Sequence, residues 1–457
     1  MRAALAWLCA TAAAACPAAP AVDVFVHRRP TASEVAANFT AALHEPPYGC
    51  LIGAYIDQDA SLGEPTKDGT GRSRRLPEPF ERAVGKPHAG YFFYMGYGSR
   101  LPADWIGRLH GEGKVVHIAL EPNNGLEYVR DDHYLRNLAE GLRQTGARVF
   151  LRFASEMNGP WVAYSGDATK YREAFRTVAK AMHERAPNVA MVWCPYAMPA
   201  GPIPRFYPGD DAVDWVGVNL YSVTYFNQDR RTPGRWVHPV DLLEPVYKRY
   251  AAKKPIMLGE YGAAHYSSVE KRSVSDFAVG CIRSLYSALP RRYPRVKAVF
   301  YFNGNNLDVA HRRNNNYAVT QDMTALEAYR SAVQDDYFLA RWPEPTRLTM
   351  EGFRFSVEPV DGGPASAAPP ISAMPLAKGE VLSGRVRLSV WAKDHLARYT
   401  LRLTVGGRPV LFGTVAQGWQ GEVDTTQLPD GPAKVVAEVW SGRKVATRST
   451  TVVQVEN

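Results

Sequence analysis

Cysteine is scarce: five in 457 residues, two of them within the first 16. The other three, Cys50, Cys194 and Cys281, lack the spacing of metal ligands and read as buried thiols rather than a disulfide framework. No His/Asp/Cys cluster suggests a metal, and no glycine-rich phosphate turn follows the first predicted strand. No metal and no cofactor are therefore expected. Past the N-terminus, no apolar run approaches the roughly 20 residues of a membrane helix, so no stable membrane span is expected. The formal charge of +9 is spread over short clusters, GRSRR, DRRTPGR and PRRYPR, without aromatic interleaving or a nucleic-acid-binding motif. They read as solvated surface, with attraction to an acidic polymer as the alternative, and no nucleic-acid partner is expected.

What is present begins with a targeting signal. Arg2, the apolar stretch AALAWLCATAAAAC and the small-x-small end of PAAPA make residues 1–21 a signal peptide cut near Ala21. Secretion or a periplasmic location follows as the expectation, with lipid anchoring at Cys16 as the alternative. Between Tyr48 and Asn305 one unit recurs: an apolar run, a polar or glycine-rich loop, then a segment of helical periodicity. The runs are YGCLIGAYI, HAGYFFYMGYG, KVVHIALEPN, ARVFLRFASEMN, VAMVWCPYAM, AVDWVGVNLYS, KPIMLGEYGA and VKAVFYFNGN. Continuous apolar strands alternating with amphipathic helices imply parallel pairing buried on both faces, and eight such units point to a (β/α)8 TIM barrel.

The chain changes character after the helix-like TALEAYRSAVQDDYF. A segment rich in Pro, Ala, Gly and Ser precedes short alternating runs punctuated by VGGR and LPDG, the pattern of a small all-β, immunoglobulin-like sandwich. The expected domains are a signal at 1–21, a catalytic barrel at 22–345, a linker at 346–375 and the sandwich at 376–457.

In such barrels, polar residues that terminate apolar strands converge on one pocket. Glu156 ends the fourth run and Glu260 the seventh. Two apposed carboxyls suit hydrolysis of a glycosidic bond with retention, one protonating the leaving oxygen and the other attacking the anomeric carbon. Strand alternation turns Arg152 and Ala154 to the same side as Glu156, and an inward arginine needs a carboxylate partner. Asn158, Asn219, Asn303 and Asn305 offer hydrogen bonds to hydroxyls, and Trp161, Tyr221 and Tyr261 offer flat apolar faces for a pyranose. Glu121, ending the third run, is either a substrate ligand or a partner for Arg152 or a nearby loop. His117, deeper on the same face, reads as a core histidine. His238 and Trp236 lie on a loop that could reach the pocket.

LRFASEMNGPW resembles the acid/base segment of glycoside hydrolase family 26, and PIMLGEYGA resembles its nucleophile strand. The resemblance runs through IALEPNNG, DAVDWVGVNLYS and VKAVFYFN and so covers the barrel but not the sandwich. It implies a retaining endo-β-glycanase with Glu156 as acid/base, Glu260 as nucleophile, Trp161 and Tyr221 beside the cleaved bond and Arg152 supporting the nucleophile. The implied substrate is a polysaccharide: β-mannan, mixed-linkage β-glucan or β-1,3-xylan. A monomer is expected. One residue departs from the family pattern: Ser155 stands where a histidine usually precedes the acid/base glutamate. Two other readings remain open at this level. One is a non-catalytic carbohydrate-binding protein on a glycosidase scaffold, the other an enzyme that trims or transglycosylates the producer's own exopolysaccharide.

Overall fold

The computed structural model describes residues 21–308, 315–343, 346–351, 354–359, 369–415 and 419–457. The expected signal, 1–21, lies outside them but for its last residue, Ala21. Eight parallel strands close a barrel: Cys50–Tyr55, Gly90–Gly96, Val115–Glu121, Val149–Phe153, Val189–Trp193, Trp215–Ser222, Ile256–Ala263 and Val296–Phe302. Closure is direct, because the eighth strand pairs with the first from Ala298↔Leu51 to Phe302↔Tyr55. These are the eight apolar runs of the sequence, each buried on both faces as parallel strands under helices must be.

The helices start and stop where local chemistry dictates. Asp132 accepts from the Leu135 amide to cap helix 133–145, whose buried face is Leu135, Leu138, Ala139 and Leu142, and Gly146 closes it at φ 65°. Asp167 and Asp322 cap helices 168–185 and 323–333 in the same way. Inside the barrel, Leu51, Phe92, Val115, Phe150, Val192, Trp215, Met257 and Phe300 form one cluster. A larger cluster fills the layer between strands and helices.

The C-terminal sandwich has two sheets, and its boundaries correct the sequence expectation. One sheet runs in the order Ser372–Pro375, Val22–Arg28, Arg385–Ala392, Trp419–Asp424. Val22–Arg28 therefore belongs to the sandwich and not to the barrel, pairing antiparallel with both flanking strands. Its sequence, VDVFVHR, alternates like any half-buried strand, and alternation carries no information about a partner some 350 residues away. The expected linker is likewise structured in part: Thr346–Glu351 and Arg354–Pro359 pair as a hairpin, and Ser372–Pro375 is a sandwich strand.

The sandwich is seated on the barrel. Phe25, Ala373 and Trp391 join the barrel's outer core cluster. Ser284 donates to the Asp394 carbonyl at 3.0 Å, the Arg291 guanidinium holds Ser389 Oγ at 3.0 and 3.2 Å, and Arg292 and Lys393 pair with Asp23 and Asp241. Gly280 makes the approach possible, since a Cβ there would sit 1.9 Å from the His395 carbonyl oxygen. Trp391 is thereby a contact residue between barrel and sandwich, with Arg292 over its ring.

Candidate active site

Both glutamates reach the pocket through breaks in regular strand geometry. The fourth strand ends at Phe153, and Ala154 and Glu156 then adopt left-handed backbone at φ 50° and 61°, a conformation that costs energy in non-glycine residues. Alternation stops there, and Ala154 falls in the helix-facing cluster rather than beside Arg152, contrary to the sequence reading. In the seventh strand a bulge separates Leu258, opposite Val218, from Glu260, opposite Asn219. The extra residue, Gly259, lets Glu260 aim inward.

Gly259 has no room for a side chain. A Cβ would lie 2.8 Å from Asn219 Oδ1, 2.9 Å from Cys194 Sγ and 3.1 Å from Arg152 Nη1. Gly259→Ala is expected to destabilise the fold by about 1–3 kcal/mol through overpacking. By displacing Glu260, it should also lower kcat by roughly 100-fold. A urea midpoint that stays at the wild-type value would refute this close packing.

The carboxyls are joined through two side chains. Arg152, fully buried, pairs its Nη2 with Glu260 Oε1 and donates from Nη1 to Asn219 Oδ1 at 3.0 Å. The Asn219 amide donates in turn to Glu156 Oε1 at 2.9 Å. Glu260 also accepts from Tyr94 at 2.6 Å and from Tyr221, so its charge is met by three donors. Glu156 is different. Its other oxygen accepts from the Trp161 indole at 2.6 Å, but burial and the charge of Glu260 push its pKa up to about 7. Burial and the nearby Glu260 charge also raise the phenols of Tyr94 and Tyr221, which stay protonated as donors.

Around this pair runs an aromatic wall. Trp161 is 48% exposed, stands edge-on to Tyr196 at 5.2 Å, and Tyr196 lies nearly parallel to Tyr221 at 6.5 Å. Of the eight residues expected around the substrate, Trp161 and Tyr221 present faces that can touch it, and Arg152 pairs with Glu260 as the resemblance implies. The other five are corrected. Asn219 is fully buried and can act only through the glutamates. Asn158 spends its amide on the Tyr196 and Pro199 carbonyls and its oxygen on the Tyr196 amide, holding the fifth loop. Asn303 is buried against Asp59 and Thr320, and Asn305 bonds Gln321 and the Leu307 amide. Tyr261 is a core residue packed on Tyr286 and Tyr301. It follows Glu260 directly, and adjacent strand residues face opposite sides.

Glu121 is a clamp rather than a ligand. Its carboxylate accepts from the Ser155 hydroxyl at 2.6 Å, the Ser155 amide at 3.2 Å and the Tyr164 phenol, tying the third strand to the loop that carries Glu156. The Ser155 hydroxyl is thus turned away from the trough. His117 is buried between Phe92 and Phe300, and burial pushes its pKa well below the usual value. His238 caps helix 239–250 and packs on His395 of the sandwich. Tyr94 and Tyr196 were missed in the sequence. Tyr94 was within reach, since it lies two residues from the inward Phe92 at a strand's C-terminal end. Tyr196 follows its strand in a loop that no periodicity describes. Among the described residues, no group of His, Cys, Asp or Glu could hold a metal ion.

The sequence is 27% identical over 177 residues to a β-1,3-xylanase of an Alcaligenes species, covering 36% of this chain and 34% of that protein. It is 30% identical over 179 residues to the β-1,3-xylanase TXYA of a Vibrio species, covering 37% and 34%. The chain spans about a third of the length of these curated relatives. A solved GH26 beta-mannanase from Bacteroides ovatus aligns at 15% identity with a TM-score of 0.45, over 64% of this chain and 90% of that one. The family model of glycosyl hydrolase family 26 matches residues 114–237. That stretch runs from the third strand through the loop after the sixth and holds Glu121, Arg152, Glu156, Asn219 and Tyr221, so this part of the barrel is similar to glycosyl hydrolase family 26.

Proposed function

We propose that the protein is an exported, retaining endo-β-glycoside hydrolase, with Glu156 as acid/base and Glu260 as nucleophile. The observation that carries this reading is the division of labour between two linked carboxyls. Glu156 keeps its proton up to about pH 7, while Glu260 is met by Arg152, Tyr94 and Tyr221. Glu156 Oε1 is held by Asn219, so Oε2, now under the Trp161 indole, is the oxygen left to deliver a proton to the departing sugar. Glu260 then forms a glycosyl ester, its charge vanishes, and the push on the Glu156 pKa goes with it. Glu156 becomes the base that activates water for the second displacement.

The wall of Trp161, Tyr196 and Tyr221 supports a polymer lying across the strand ends, each ring offering a face to a pyranose. Ser155, occupied by Glu121, leaves vacant the reach that the resemblance assigns to a histidine, so a substrate other than mannan is favoured. Similarity to two proteins named β-1,3-xylanase and to Endoglucanase H of Acetivibrio thermocellus supports keeping β-1,3-xylan and β-glucan among the candidates. The test is reducing-end release from β-mannan, mixed-linkage β-glucan, β-1,3-xylan and acidic exopolysaccharides, with Glu260→Ala alongside. The expected result is release from one polymer, the first product carrying the substrate's own anomeric configuration. Release that persists in the variant, or an inverted first product, removes Glu260 as nucleophile.

A further inference from the structure

The cluster GRSRR is not absorbed by the reaction centre, and the structure gives its arginines opposite fates. It belongs to a hairpin, Thr66–Lys67 paired with Ser73–Arg74, in the loop that follows the first barrel strand. Asp68 builds the turn by accepting from the Thr70 amide and hydroxyl at 2.9 and 2.6 Å and from the Arg72 amide at 3.0 Å. The Gly69 amide is pinned to Asp104 at 2.7 Å. Arg74 points inward, buried over the Phe93 ring at 4.4 Å, and pairs with both Asp57 and Asp68 at 2.9 Å. The carboxylates at the base of the hairpin are thereby spent on one guanidinium.

Arg72 points the other way. It is exposed, with a single long contact from Nη1 to the Tyr94 carbonyl at 3.4 Å, and it makes no ion pair among the described residues. Tyr94 is the residue whose phenol donates to Glu260. An exposed cation therefore rests against the backbone of a residue that contacts Glu260, on a hairpin whose own fold is held by five hydrogen bonds to Asp68 and Asp104. Arg100, on the loop after the second strand, is exposed and without an ion pair among the described residues. A neutral sugar lying over this rim would strip water from a guanidinium and return no charge, which is a penalty. A carboxylate would convert the same desolvation into paired charge-assisted hydrogen bonds.

We propose that Arg72 reads a carboxylate on the sugar bound beside the reaction centre, so that the preferred substrate is an acidic β-glycan. This rests on the hydrolase reading of the trough and names its substrate class. The test uses matched pairs: mixed-linkage β-glucan and β-mannan, each native and after oxidation of its primary hydroxyls to carboxylates, with a third sample reduced back to the alcohol. Wild type is compared with Arg72→Met and Arg72→Lys by kcat/KM. Oligosaccharide binding to the Glu260→Gln protein, with and without Arg72→Met, reads recognition without turnover. The expected result is a preference for the oxidised member of at least one pair. Arg72→Met should cut the oxidised-to-native ratio about tenfold, as loss of one charge-assisted hydrogen bond would, with partial recovery in Arg72→Lys. Absence of such a preference in both pairs, or a preference that Arg72→Met leaves intact, overturns the proposal. Cleavage that fails everywhere while Arg72-dependent binding persists overturns the hydrolase reading instead and leaves the assignment of Arg72 standing.

Discussion

Replacing Glu260 by alanine is expected to lower kcat on the polymer by roughly 10⁵-fold, the scale seen when a covalent nucleophile is removed. Structure tells how to separate that loss from damage to the fold. Arg152 is fully buried and its guanidinium meets Glu260, so alanine leaves an uncompensated charge in the barrel interior. Breaking a buried pair from one side costs about 3–5 kcal/mol. A lower melting temperature should accompany the lost activity. Glu260→Gln keeps the volume and an amide oxygen for Arg152 to bond. It should lose nearly as much activity with a smaller fall in stability, because an amide cannot attack the anomeric carbon. In the alanine variant the vacated space admits a small anion, and azide with an activated aryl glycoside should give a glycosyl azide of inverted configuration. An azide product of retained configuration would show attack from the other face and would reverse the assignments of Glu156 and Glu260.

The sequence carried the barrel because each strand reads as a buried apolar run and each helix has its own stop signals, and both are local properties. Arg152 and Asn219 were legible as inward residues for the same reason. What the sequence could not carry was irregularity. Glu260 enters the pocket through a bulge at Gly259, and Glu156 through two left-handed residues, and neither feature has a period to read. The asparagines misled because an amide at a strand end satisfies loop backbone as readily as sugar hydroxyls. Asn158 and Asn305 do the first, and Asn303 is drawn into the buried network around Asp59. Val22–Arg28 was misplaced because its partners lie at the far end of the chain, where pairing is decided by the seat of the sandwich on the barrel.

With Glu156 as the proposed acid/base, the alkaline side of the pH profile is expected to follow its ionisation. Burial and the Glu260 charge raise its pKa to about 7, against the donors Asn219 and Trp161 and the more distant Arg152. The group is useful as an acid only while protonated, so kcat/KM on an unactivated glycan should fall above about pH 7, approaching tenfold per pH unit. Glu156→Gln should abolish that limb and lower kcat on the polymer by roughly 10³–10⁴-fold. A substrate with an acidic phenol as leaving group should suffer far less in the first step, because it departs without a proton. The electrostatic cause can be read without turnover. In Glu260→Gln the neighbouring negative charge is gone while Arg152 stays positive, and the balance that remains favours the charged form of Glu156 more than in wild type. Its pKa, followed by carbon NMR of labelled glutamate carboxyls, should move from about 7 in wild type toward the ordinary carboxylate range. A pKa that stays near 7 in the variant would mean that burial alone raises it. The exchange of roles between the two displacement steps would then need a cause other than the charge on Glu260.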